Sequence, residues 1–183
     1  MVKFDREKII DLVNMRLKQK IQLPEIQRSF VWKPRQILSL IDSLYKDYPI
    51  GAFLIWRTEE EIETRTFNGD KESNRKITYT DKSYLLDGQQ RLTAITNALS
   101  GEEPKILFDT YDHEFCIQRE WHKKDLGFIP LNKLFIMTDE NQVRRATISE
   151  VNTLMSKHNI NTTTAKDTLT QELLGIQELF EKE

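Results

Sequence analysis

The chain reads as an α/β domain, a small mixed and partly barrel-like sheet with helices against it, followed by a helical C-terminal segment. Three observations predict this. Apolar runs of strand length at 52–56, 84–86, 105–108 and 114–117 are interleaved with stretches of helical period. A charged, polar tract at 59–82 separates two of the strands. Beyond residue 147, two capping boxes introduce consecutive amphipathic helices.

Taken in order, Asp5 is placed to cap a first helix whose apolar positions are Ile9, Ile10, Val13 and Leu17. Residues 18–22 are polar and end it. The stretch 23–32 reads as extended chain, because Pro24 removes a donor and restricts its neighbour. Pro34 then suits the first turn of a helix carrying Ile37, Leu40, Ile41, Leu44 and Tyr45 on one face. Tyr48-Pro49-Ile50-Gly51 stops that helix, and the run 52–56 reads as a strand buried on both faces. The 59–82 tract reads as an exposed hairpin or loop with a turn at Asn68-Gly69-Asp70.

After the strand at 84–86 comes a helix over 89–99, with Leu92, Ile95, Thr96 and Leu99 inward and Gly101 closing it. The runs 105–108 and 114–117 form a strand pair, and 128–131 leads into a helical turn at 132–135. Thr147 with Glu150 and Thr164 with Asp167 open the two last helices. Their apolar faces are Ile148, Val151 and Met155, then Leu169, Leu173, Ile176 and Phe180. This divides the chain into a domain at 1–140 and the start of a helical region at 147–183. The apolar face of that tail looks half used, so the expectation is weak packing on the body or pairing with a second copy as a homodimer. The chain accordingly reads as an N-terminal piece of something longer.

A length of 183 residues accommodates a real core, and 38% hydrophobic with 31% charged residues suits a water-soluble fold. The net charge of −2 excludes a generally basic nucleic-acid binder but leaves room for a local basic groove. Cys116 is the single cysteine, so no intramolecular disulfide forms. No segment approaches the roughly 20 apolar residues of a membrane helix, and the start lacks a signal-peptide core. The expected location is cytoplasmic.

The functional signal concentrates at Leu86-Asp87-Gly88-Gln89-Gln90-Arg91-Leu92-Thr93. An apolar strand ends at an Asp-Gly break and a helix starts at once. Two amides, a guanidinium and a hydroxyl crowd a helix N-terminus, whose N–H groups and dipole favour anions, phosphate above all. Gly88 lets backbone approach a ligand and Arg91 is able to grip two phosphate oxygens. The competing reading makes Asp87 a plain N-cap. A second segment, Gln27-Arg28-Ser29-Phe30-Val31-Trp32, offers Arg28 as a further phosphate ligand and Trp32 as a stacking surface, against the alternative that its aromatics are core. His113, Cys116 and His122 have no zinc-ligand spacing and no fourth ligand. The Gly-Lys-Ser/Thr phosphate loop is absent. Basic clusters at 16–20, 123–124 and 144–145 read as solvated faces, with contact to a nucleic-acid backbone as the alternative.

Together these residues resemble the N-terminal domain of GmrSD-type modification-dependent restriction proteins, which has a ParB/sulfiredoxin-like fold. The matching elements are Pro24 to Trp32, then Tyr48-Pro49-Ile50-Gly51 leading into Phe53-Leu54-Ile55-Trp56, then Asp87-Gly88-Gln89-Gln90-Arg91. The resemblance implies an NTP-binding and hydrolysing domain that regulates restriction of modified or foreign DNA, with a nuclease domain or subunit as partner. On this reading Arg28, Gly88, Arg91, Thr93 and Trp32 would hold the nucleotide, Asp87 would hold Mg²⁺ or orient the attacking water, and Gln89 or Gln90 would position that water or read the nucleotide. Two further readings stand beside it: a nucleotide-switched DNA-binding module without turnover, and a structural domain that positions a nuclease.

Overall fold

Strand β4 (Lys82–Asp87) organises the main sheet, because Tyr84 and Leu85 are both fully buried and demand cover on each face. The computed structural model describes residues 5–60, 62–65, 82–124, 127–157 and 163–182. The four strands run in the order β2-β4-β1-β3, with β1 Ile21–Pro24, β2 Leu54–Thr58 and β3 Thr64–Arg65. β1 pairs parallel to β4 (Ile21 opposite Ser83), and the other two pairings are antiparallel. The sheet is therefore mixed, as the sequence predicts. The turn expected at Asn68-Gly69-Asp70 lies outside the described residues.

Helix α1 (Ile9–Leu17) starts later than Asp5 implies: Lys8 is its N-cap and no side chain caps it. Helix α2 (Pro34–Tyr45) has proline in its first turn and buries Ile37, Leu40, Ile41 and Leu44. β2 corrects the expectation of a strand buried on both faces. It is an edge strand with a bulge at Leu54, and Leu54 and Trp56 are 50% and 42% exposed. A compact apolar run does not distinguish a central strand from an edge.

Helix α3 (Gln89–Ser100) follows β4 and ends at Gly101, whose φ of 78° provides the left-handed C-cap. A second sheet, β6-β5-β7, contains β5 (Ile106–Asp109), β6 (Glu114–Ile117) and β7 (Phe128–Pro130), all antiparallel. A 3₁₀ turn at Leu131–Lys133 follows, then a hairpin of β8 (Phe135–Met137) and β9 (Val143–Arg145) that the sequence did not disclose.

The tail is where the structure departs most from expectation. Helix α4 (Ile148–Lys157) begins with the predicted capping box, Thr147 and Glu150 bonding reciprocally. Helix α5 (Thr163–Leu179) is not a loosely held appendage. Leu173, Ile176 and Phe180 belong to the same core as Val13, Ile41, Leu92 and Phe135 and are at most 1% exposed. Gln177 Nε2 donates to the Leu134 and Ala146 carbonyls at 2.6 and 3.1 Å, and the Ile10 N–H donates to the Phe180 carbonyl at 3.0 Å. Glu172 accepts from the Tyr45 hydroxyl and bonds His113 Nδ1. The apolar face has found its neighbours within this chain.

Candidate functional site

The strand-to-helix corner is built by Gly88. Its φ of 95° is left-handed, and a Cβ there would stand 2.4 Å from Phe53 Cδ1, so only glycine turns the chain at this point. Gly88 itself is the N-cap of α3, and no side chain caps the helix. The Asp87 carboxylate instead takes Arg91 Nη2 at 3.1 Å while its side chain remains 73% exposed. The plain-cap reading of Asp87 thus fails on geometry: the first turn of α3 keeps its N–H groups, with the dipole's positive end, beside an exposed carboxylate.

Arg91 is anchored from three sides. Nη1 donates to the Ile50 carbonyl at 2.7 Å, Nη2 meets Asp87, and the guanidinium carbon lies 5.1 Å from the centre of the Phe53 ring. Gly51 is needed below it, since a Cβ there would fall 2.7 Å from Nη1. The Tyr48-Pro49-Ile50-Gly51 turn is therefore the seat of Arg91. The sequence reading gave Ile50 and Phe53 no part in the site, and their signal was the proline-glycine turn just before an apolar strand.

Three glutamines clasp the 27–31 segment to the corner. Gln89 Nε2 donates to the Arg28 carbonyl at 2.7 Å and Gln90 Nε2 to the Ser29 carbonyl at 3.0 Å. Gln90 Oε1 accepts the Val31 N–H at 2.9 Å, and Gln27 Nε2 donates to the Leu86 carbonyl at 2.9 Å. Gln89 and Gln90 are 4% and 9% exposed, so they lie beneath the segment rather than in solvent. The consequence is that Arg28, some sixty positions away in sequence, is held over the start of α3. Its side chain is exposed and, among the described residues, has no acidic partner.

Two residues assigned to the site are less open than that role implies. Thr93 is fully buried in α3, and its hydroxyl is shut off from solvent. It follows Gln90 by three positions and so turns inward onto the body. Trp32 is half-buried and packs on the core, as the competing reading had it. Burial, then Asp109 and Glu114, push the Cys116 thiol up to about 11, which leaves it a poor nucleophile. Among the described residues no group of three acidic, histidine or cysteine side chains is placed to hold a metal. Arg144 and Arg145 are paired with Glu150 and Glu181.

The described surface includes two concavities of note. One of about 330 Å³ adjoins the turn that seats Arg91, lined in part by Ile50, Gly51 and Phe53. The larger, about 910 Å³, lies between the Pro130–Met137 stretch and α4 and shares no lining residue with the corner.

Residues 9–182 match the family model described as GmrSD restriction endonuclease, N-terminal domain. The chain belongs to this family. The match includes α5, in keeping with its burial in the core. The GmrSD-type domain is also similar to an uncharacterized protein of Methanocaldococcus jannaschii, with 34% identity over 143 residues. That alignment covers 76% of this chain and 23% of the relative, so the chain spans less than a quarter of the protein it matches. In this GmrSD-type domain, no helix among the described residues is long and apolar enough to cross a membrane.

Proposed function

We propose that the Asp87–Arg91 corner and Arg28 bind the phosphates of a nucleoside triphosphate and promote its hydrolysis, and that this governs a DNA restriction system. The glutamine clasp carries the reading. Its effect is to hold an exposed arginine without an acidic partner above a helix N-terminus without a cap. A triphosphate needs both: N–H groups for its oxygens and a mobile cation to close on them.

In this arrangement the first-turn N–H groups of α3 and Arg28 take phosphate oxygens. Arg91, fixed by Ile50 and Phe53, contributes charge from a set position. Its Nη2 contact engages Asp87 through Oδ2, so the carboxylate retains capacity at Oδ1. One carboxylate with phosphate oxygens and water suffices for Mg²⁺, and the exposed Asp87 fits that need. Mg²⁺ bound there would neutralise phosphate charge. Asp87 would equally orient the water that attacks the γ-phosphorus as the bond to the β-phosphate oxygen breaks. Gln89 and Gln90 act as positioning residues on this view, because their amides already bond the backbone at 28–31.

Phosphate release measured with each NTP and Mg²⁺, with and without modified DNA, tests the reading. Turnover by the wild type that is lost in Asp87→Ala supports it. Nucleotide binding without release would favour a switch that senses DNA, and absence of binding would favour a domain that only positions a nuclease.

A further inference from the structure

The 910 Å³ cavity has the size of a small-ligand site and a lining to match. Its floor is apolar, from Leu99, Leu107, Phe128 and Phe135. On one wall the His122 ring is 6% exposed and packed at a tilt among aromatics, 3.7 Å from the Trp121 centroid and 4.3 Å from that of Phe128. His122 Nδ1 accepts the Arg119 N–H at 2.9 Å, which fixes the ring's orientation.

Against this apolar body stand four polar side chains, Gln118, Asn132, Lys133 and Lys157, that have no hydrogen-bond or ion-pair partner among the described residues. The Ser100 hydroxyl on the same lining is buried and unbonded as well. Asn132 is set in place by Gly101, where a Cβ would fall 2.4 Å from its Nδ2. The only carboxylate on the described lining, Glu150, is engaged by Arg144 and Thr147 and does not neutralise the lysines.

This combination selects a ligand class. An apolar floor lined by Phe128 and Phe135 favours an aromatic ring. Side-chain amides present a donor and an acceptor together, the pattern that reads the edge of a nucleobase. Two lysines without acidic partners favour phosphate. We propose that this cavity binds a mononucleotide unit, its base against the His122–Phe128 wall, its edge on Asn132 and Gln118, and its phosphate on Lys133 and Lys157. The unit comes either from a free nucleotide or from an unpaired position of a DNA strand. The site shares no lining residue with the Asp87 corner and does not rest on the triphosphate reading.

The test is titration of the four nucleoside monophosphates and a thymidine pentanucleotide, with chelator present, into wild type, Thr153→Trp and the double variant Lys133→Glu/Lys157→Glu. Calorimetry is followed by ¹H–¹⁵N spectra. All three altered positions are exposed, so the variants should fold, and thermal melts verify it. Saturable binding that weakens at least tenfold in both variants, with shifts at the Gln118 and Asn132 side-chain amides, supports the site. Tighter binding of the pentanucleotide than of any monophosphate identifies a strand as the source, and the converse identifies the free nucleotide. No binding to wild type, binding of wild-type strength in either variant, or shifts confined to 88–91 would overturn the proposal.

Discussion

Gln90→Ala tests the clasp most sharply, because the side chain makes two hydrogen bonds to a segment sixty positions away and nothing else the sequence would predict. Each bond is worth a net ~0.5–1.5 kcal/mol. Val31 and Ser29 are exposed, so water replaces the lost partners and the cost falls in the lower part of the range, about 1–2 kcal/mol in all. For a domain of this size that is a fall in Tm of roughly 2–8 °C. The Val31 amide should exchange with deuterium much faster, while amides in the middle of α3 change little. Nucleotide affinity should fall too, since Arg28 must then be ordered during binding. An unchanged Tm with unchanged exchange at Val31 would refute the assignment of Gln90 to holding the Arg28 segment.

Other perturbations separate the parts of the account. Asp87→Ala should cost at most about 1 kcal/mol, because it removes an exposed ion pair and no cap, yet abolish Mg²⁺-dependent NTP turnover. Phe180→Ala should cost ~3–5 kcal/mol, and removal of α5 should eliminate cooperative thermal unfolding; a cooperative transition in the truncated chain would show that the tail is dispensable. Hydrogen bonds from Arg144, then the Thr147 N–H, hold the Glu150 carboxyl down at about 2, against an ordinary 4.5. A lowered carboxyl stabilises above its unfolded value and loses this as pH falls through the folded one. Wild type should therefore exceed Glu150→Gln in stability at pH 6, with the gap closing between about 4.5 and 2 in paired melts.

Helices α2 and α3 were legible in the sequence because their apolar residues repeat at helical spacing and Pro34, Gly88 and Gly101 punctuate them. The strand–turn–helix corner was legible for the same reason. The β8–β9 hairpin was not, since three-residue strands show no period. The docking of α5 rests on contacts such as Ile10 with Phe180, which no local pattern encodes. Gln89 and Gln90 looked like ligand groups because polar side chains in a first turn usually meet solvent. Here they meet backbone, and the seat of Arg91 in Ile50 and Phe53 depends on a turn forty residues earlier. The burial of Thr93 was not foreseen because its neighbours' polarity, not its own position on the helix, drew attention to it.

The central claim is that Arg28 and the uncapped start of α3 form one phosphate site. Isothermal titration of the four NTPs with Mg²⁺ into wild type and Arg28→Ala tests it directly. Saturable, single-site binding is expected in the wild type, weakened about tenfold or more when this exposed charge is removed, with no change in Tm. Binding of equal strength in both proteins, or none in the wild type, would contradict it.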